Sequence, residues 1–224
     1  MPVEESKVKW NQFVSGNKDA YSWIYKTYIQ ELYRYGLRFT SNAELIKDSI
    51  QEVFTNIYKN RKQLTTPDNV KVYLFVALKN NLLRILSKES MYDMSDPESS
   101  PFSLEPTVED MFIEREEYKE QQDKIEAVFK VLTPRQQEII YYRYVKELSF
   151  EEICLLMDMN YQSAQNLIQR SLKKVRDTLA CDGGVVGKKG DRYKSFSKNT
   201  NHPTAASSGP PPPYQGGEPS YYSM

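Results

Sequence analysis

FEEICLLMDMNYQSAQNLIQRSLKKVR occupies residues 150–176. A short apolar run, a break at 158–160 and a longer polar run with a basic end read as two helices joined by a tight turn. Ser149-Phe150-Glu151-Glu152 has capping-box spacing and opens a helix over 149–157. Asn160 can cap a second helix over 161–179. Phe150, Ile153, Leu156 and Met157 share the inward side of the first helix, and Ala164, Ile168, Ser171 and Val175 that of the second. Ala164 and Ser171 are small enough to let the helices cross closely, and the break has helix-turn-helix length. Outward, Gln162, Gln165, Asn166, Gln169 and Lys173 form one stripe at i, i+3, i+4, i+7 and i+11. Amides near the start of a recognition helix can pair with N6 and N7 of adenine. Cations further along, Lys173, Lys174 and Arg176, suit phosphates. An ordinary solvated face has the same polarity, so on spacing alone both readings of the stripe stand.

Helical periodicity extends through the chain. Residues 19–39 place Ile24, Tyr28, Leu32 and Tyr35 on one side. Ser41-Asn42-Ala43-Glu44 has capping-box spacing before a helix to about Asn60, with Ile46, Ile50, Val53, Phe54 and Ile57 as its apolar stripe. Asp48, Gln51, Glu52, Thr55 and Lys59 fall opposite. Pro67-Asp68-Asn69 marks a loop, and a helix follows from about Val70 to Ser87. Residues 88–110 read as a linker, and a charged helix is expected from Met111 to Val131. Thr133-Pro134-Arg135-Gln136 caps a helix over about 134–145. From Cys181 the Gly-, Pro- and Ser-rich composition cannot offset ordering entropy. No strand is legible. The expected class is all-α: two small helical domains, over 10–88 and 111–180, joined by a flexible acidic linker over 89–110 and followed by a disordered tail over 181–224.

Thirty basic and thirty acidic residues cancel, which argues against a strong free-standing nucleic-acid binder. The distribution is uneven, however. Residues 1–90 hold 14 Lys/Arg against 9 Asp/Glu, residues 91–128 hold 3 against 12, and residues 129–179 hold 8 against 6. An acidic middle therefore separates two mildly basic blocks. Cys154, Cys181 and His202 have no zinc spacing, and there is no Gly-rich phosphate loop, His pair or nucleophile motif. An enzyme is disfavoured, and neither metal nor cofactor is expected. No leader and no apolar run near 18 residues is visible, so the expected location is cytoplasmic.

At this point a resemblance enters. LTPRQQEIIYYRYVKELSFEEICLLMDMNYQSAQNLIQRSLKKVRDTL resembles region 4 of extracytoplasmic-function sigma factors. Independently, NAELIKDSIQEVFTNIYKNR followed by VYLFVALKNNLLRIL resembles region 2, and the order and separation fit. The style is most like versions from Bacteroidetes. The resemblance implies binding to core RNA polymerase and promoter DNA, recognition of the −35 and −10 elements, and strand opening. It maps the upstream-element reader onto Gln162 to Arg176, Ser163 and Arg170 included. It maps polymerase docking onto Asp48, Gln51, Glu52 and Thr55. It maps the downstream element onto Tyr73, Lys79, Asn80, Arg84 and Lys88, with a loop at about 62–70 completing a base pocket. On a helical wheel Tyr73, Asn80, Arg84 and Lys88 fall together, and an aromatic beside amide and cationic groups suits an unstacked base. Partial core packing remains the other reading of Tyr73. The family also implies restraint by an anti-sigma factor, often membrane-bound.

Four residues depart from the family pattern: Asp158 for a frequent Gly, Cys154 for Ala, and Gln165 and Val76 for basic residues. Two placements of the acidic segment are open: along a positive polymerase channel, or folded back on the basic blocks. A helix-turn-helix repressor and a helical adaptor remain as rivals; only a sigma factor would make core polymerase start at a specific site.

Overall fold

The computed structural model describes residues 3–88, 100–104 and 130–181. The charged helix expected from Met111, most of the acidic linker and the tail with His202 lie outside the described residues. The described residues are mostly helical, with no strand among them. The N-terminal elements are α1 (Val3–Val14), α2 (Lys18–Gly36), α3 (Ala43–Lys59), a 3₁₀ turn (Arg61–Gln63) and α4 (Val70–Lys88). The C-terminal elements are α5 (Pro134–Ile140), a π turn (Tyr141–Val145), α6 (Phe150–Met157) and α7 (Tyr161–Cys181).

The apolar stripes read from the sequence are the buried ones: Ile24, Tyr28, Leu32 and Tyr35 on α2, and Ile46, Ile50, Val53, Phe54 and Ile57 on α3. Two capping boxes form as expected, at Thr133 with Gln136 and at Ser149 with Glu152. The expected box at Ser41 does not form. Asn42 caps α3 instead, one residue later, its side-chain oxygen accepting from Leu45 N at 3.1 Å.

α1 was not anticipated. Only Trp10 and Phe13 are large inward residues on it, both essentially fully buried. Trp10 donates to the Thr65 carbonyl at 3.2 Å and meets Tyr73 edge-on at 5.2 Å, so α1 pins the loop before α4. Gly16, at φ +102, ends α1 in the left-handed conformation that glycine adopts freely. Gly36 serves α2 differently: a Cβ there would stand 2.6 Å from Ile46 Cγ2, so the missing side chain lets α2 and α3 approach.

The two helical blocks share one continuous core within a compact unit spanning Met1–Gly184. Part of the expected linker joins it. Phe102 is buried between Phe39, 5.4 Å away, and Tyr141, also 5.4 Å away. Ser103 N donates to the Arg38 carbonyl at 2.8 Å, and Leu104 N to Gln137 Oε1 at 3.0 Å. This short segment is held by apolar burial and backbone hydrogen bonds to both blocks, not by its charge.

Glu31 of α2 bridges the blocks by accepting from Lys71 of α4 at 2.7 Å and from Lys146 at 3.0 Å. Burial pushes its carboxyl up, but the hydrogen bonds and charges of the two lysines outweigh burial and hold it below the ordinary 4.5. A depressed folded-state value stabilises the fold above pH 4.5, and the contribution is lost as pH falls through that value. Denaturant midpoints measured across acid pH are therefore expected to fall more steeply for the native chain than for Glu31→Gln; parallel profiles would rule the bridge out. Gly36→Ala is expected to cost about 1–3 kcal/mol in chemical denaturation through overpacking against the stiff Ile46, although Ala is the better helix former.

Candidate polymerase and DNA interfaces

α7 presents the expected outward stripe. Ala164, Leu167, Ile168 and Ser171 are buried against α5 and α6, and the small Ala164 and Ser171 are completely covered. Leu167 joins this inward set, which the sequence reading left out, while Val175 is only half-buried. Gln162, Ser163, Asn166, Gln169, Arg170, Lys173, Lys174 and Arg176 are exposed, and Gln165 is half-buried. Gln162 donates to Asn166 Oδ1 at 3.2 Å, which aligns the two amides along the stripe. Asn160 accepts from Ser163 N at 2.8 Å as the expected cap. Asp158 adopts φ +48, ψ 57, the left-handed conformation in which Asp is one of the few tolerated non-glycine residues. The turn thus keeps its geometry without glycine.

On α3, Asp48, Gln51, Glu52 and Thr55 are all exposed, opposite the buried stripe. Glu52 takes two contacts from Arg84 Nη2 of α4, at 3.1 and 3.3 Å. This exposed pair is worth little in stability, yet it places the α3 stripe directly beside the α4 stripe.

On α4, Asn80, Arg84 and Lys88 are exposed. Tyr73 is half-buried against Trp10, so it packs partly into the core. Lys79 is not brought to this strip. It lies on the opposite side of α4, 8% exposed, with Nζ 2.5 Å from Glu138 Oε1 and 2.8 Å from the Leu156 carbonyl. The reason is angular: six residues from Tyr73 is about 240° around a helix at 3.6 residues per turn. In the loop, Asn69 caps α4 through Lys71 N at 3.0 Å and also donates to Glu152 Oε1 of α6 at 2.6 Å.

Sequence reasoning passed over Glu138, and it read Glu152 only as a capping residue and not as the partner of Asn69. Glu138 is 3% exposed and accepts from Tyr142 Oη at 2.7 Å as well as from Lys79. Tyr142 Oη also lies 2.5 Å from Tyr35 Oη. Because the Tyr142 proton is directed at Glu138, Tyr35 is the donor of that second bond. Burial first, then the neighbouring Glu138 charge, pushes both phenols well above their ordinary value, so they stay protonated donors. The only signal available in sequence was an acidic residue four positions before a tyrosine, a common pattern.

The arrangement defines a helical protein with a helix-turn-helix that exposes an amide-and-cation stripe and a second module presenting a polar stripe beside an aromatic–amide–cation stripe. Residues 24–91 match the family described as Sigma-70 region 2, and residues 122–175 match Sigma-70, region 4. The RNA polymerase sigma factor SigV of Bacillus subtilis is 23% identical over 150 residues, covering 67% of this chain and 85% of that protein. Two solved structures share the fold. CnrH in complex with the cytosolic domain of CnrY has TM-score 0.52 and 13% identity, covering 80% of this chain and 99% of that one. The sigma factor RpoE in complex with the anti-sigma factor NepR from Bartonella quintana has TM-score 0.51 and 16% identity, covering 75% and 100%.

The chain belongs to the sigma-70 family and is an alternative sigma factor of the extracytoplasmic-function type, a non-enzymatic factor for transcription initiation. Its partners are core RNA polymerase and promoter DNA. Among the described residues no helix is long and apolar enough to cross a membrane.

Proposed function

We propose that the three exposed stripes divide the work of initiation. The α3 stripe of Asp48, Gln51, Glu52 and Thr55 docks on core RNA polymerase. The α4 stripe of Tyr73, Asn80, Arg84 and Lys88, with the loop at 62–70, captures the melted −10 element, where stacking and cationic contacts offset the few kcal/mol of unstacking. The α7 stripe reads the −35 element. Lys79 serves the region 2 fold and its junction with region 4 rather than DNA contact in the arrangement described. The observation that carries this division is that each stripe, exposed but for the half-buried Tyr73 and Gln165, lies opposite a buried apolar face of its own helix.

The domain limits follow the same reading: region 2 over 10–88, extended by α1, and region 4 over 111–180. We further propose that the chain works in the cytoplasm and is restrained by an anti-sigma factor. The solved relatives bound to CnrY and NepR support that partner class.

Reconstitution with core polymerase and run-off transcription tests the whole reading, since a repressor or adaptor yields no defined start. Glu52→Lys is expected to weaken core binding by at least severalfold in a pull-down titration. Arg84→Ala, which removes the same ion pair, is expected to leave core binding intact and slow strand opening; equal loss of core binding in both variants would dissolve the distinction between the two stripes. Asn166→Ala is expected to cost about 1–3 kcal/mol at a single upstream base position, scored by binding to a panel of single-base promoter variants. Uniform weakening across the panel would give Asn166 a scaffold role instead.

A further inference from the structure

α1 precedes the residues matched as Sigma-70 region 2, which begin at residue 24. Its inward face nevertheless reaches the proposed −10 pocket from the core side. α1 is first fixed to α2: Ser6 Oγ and Tyr28 Oη are 2.6 Å apart in the interior, and the Phe13 ring meets Tyr21 at 5.2 Å. It then takes hold of the loop that joins the 3₁₀ turn to α4.

That loop has little of its own to hold it. Gln63 N and Leu64 N still bond back to the Asn60 and Arg61 carbonyls, at 2.9 and 3.3 Å, and Leu64 packs against the core. Asn69 caps α4 at the other end. Residues 65–68, between them, form no backbone–backbone hydrogen bond. Pro67 biases Thr66 toward extended backbone and has no N–H of its own to give. The fastenings of this span are consecutive side chains of α1. Trp10 donates its indole N–H to the Thr65 carbonyl at 3.2 Å, and Asn11 accepts from the Thr66 hydroxyl. Thr65, Thr66 and Asp68 stay exposed. The same indole, fully buried, stands edge-on to Tyr73 at 5.2 Å. One side chain therefore touches both halves of the proposed pocket: the loop backbone and the ring proposed to stack on a base.

We propose that Trp10 and Asn11 are positioning residues for the −10 element: they set the outline of loop 65–68 and the tilt of Tyr73, and so set which base the pocket prefers. The inference rests on the proposed assignment of Tyr73, Asn80 and the loop to that element. Neither α1 residue needs to touch DNA. A pocket rejects the wrong base through polar groups left unpaired when that base enters, which requires that those groups stay where they are. A loop without fastenings would re-pack around each base and discriminate among none.

The test uses the full chain loaded on core polymerase, native and as Trp10→Phe, Asn11→Ala and Asn80→Ala. Phe keeps a buried ring and removes the N–H donor. Asn11 is exposed, so Asn11→Ala stays informative if Trp10→Phe fails to fold. The probe is a promoter library randomised over the −10 element, with run-off transcripts sequenced to score base preference. A second library scores the −35 element, and core binding is titrated in parallel. Both α1 variants are expected to bind core as tightly as the native chain and to keep its −35 preference. Their preference at one −10 position is expected to flatten about three- to tenfold, the worth of one hydrogen bond. Native −10 preference in both α1 variants, with Asn80→Ala altered, would overturn the inference and leave the stripe assignment standing. Loss spread equally over all −10 sequences would reduce α1 to a scaffold. Native −10 preference in all three variants would strike the stripe assignment, and the inference with it.

Discussion

A carboxylate with almost no access to water sets the terms for this fold. Burying Glu138 is unfavourable unless its charge is paired and its oxygens are hydrogen-bonded. The partners come from separate parts of the chain: Lys79 from α4 and Tyr142 from the π turn, with Tyr35 of α2 donating to Tyr142 in turn. Lys79 also satisfies the Leu156 carbonyl, one of the orphan acceptors in the last turn of α6. Five elements are thereby held in register by one connected set of polar groups. Around it the rings stack and tilt: Tyr35 lies flat on Phe75 at 4.4 Å, and Phe102 closes the far side. Apolar burial supplies the drive, and the polar chain supplies the uniqueness of the arrangement.

The π turn is what allows two consecutive tyrosines to serve this junction. On a regular helix Tyr141 and Tyr142 would point about 100° apart. Both are buried here, while Tyr144 and Val145 in the same turn are more than half exposed. Glu147, at φ +54, then reverses the chain so that Leu148 can enter the core and Ser149 can cap α6.

Much of this was legible before any coordinates, and the reasons for the remainder are physical. Strong 3.6-residue stripes on α2, α3 and α7 are local signals, and they lie where the periodicity placed them, save that on α7 Leu167 is buried and Val175 only half so. So do the caps at Thr133, Ser149 and Asn160, because each is a bond within four residues. α1 escaped notice because its burial rests on two large side chains amid polar neighbours, and Trp10 finds its partner 55 residues away. Phe102 sits in a Ser- and Pro-rich stretch whose composition reads as linker; only the cavity between Phe39 and Tyr141 makes it core. Lys79 was assigned to the DNA strip by motif position, although the helical wheel already set it across from Tyr73. Its buried partner, 59 residues on, could not be inferred from local pattern.

The junction combines aromatic burial with matched polar groups. The chain has 17 tyrosines against 9 phenylalanines, and three of the tyrosines, 35, 141 and 142, line the meeting of the two blocks. A tyrosine buries a ring yet tolerates water at its hydroxyl. Here the lysine–glutamate pair and the tyrosine hydroxyls satisfy one another inside an otherwise apolar meeting of the two blocks. A chain with no net charge and only mildly basic reading surfaces gains little from DNA alone. Its promoter contacts become effective when polymerase holds both modules near their elements.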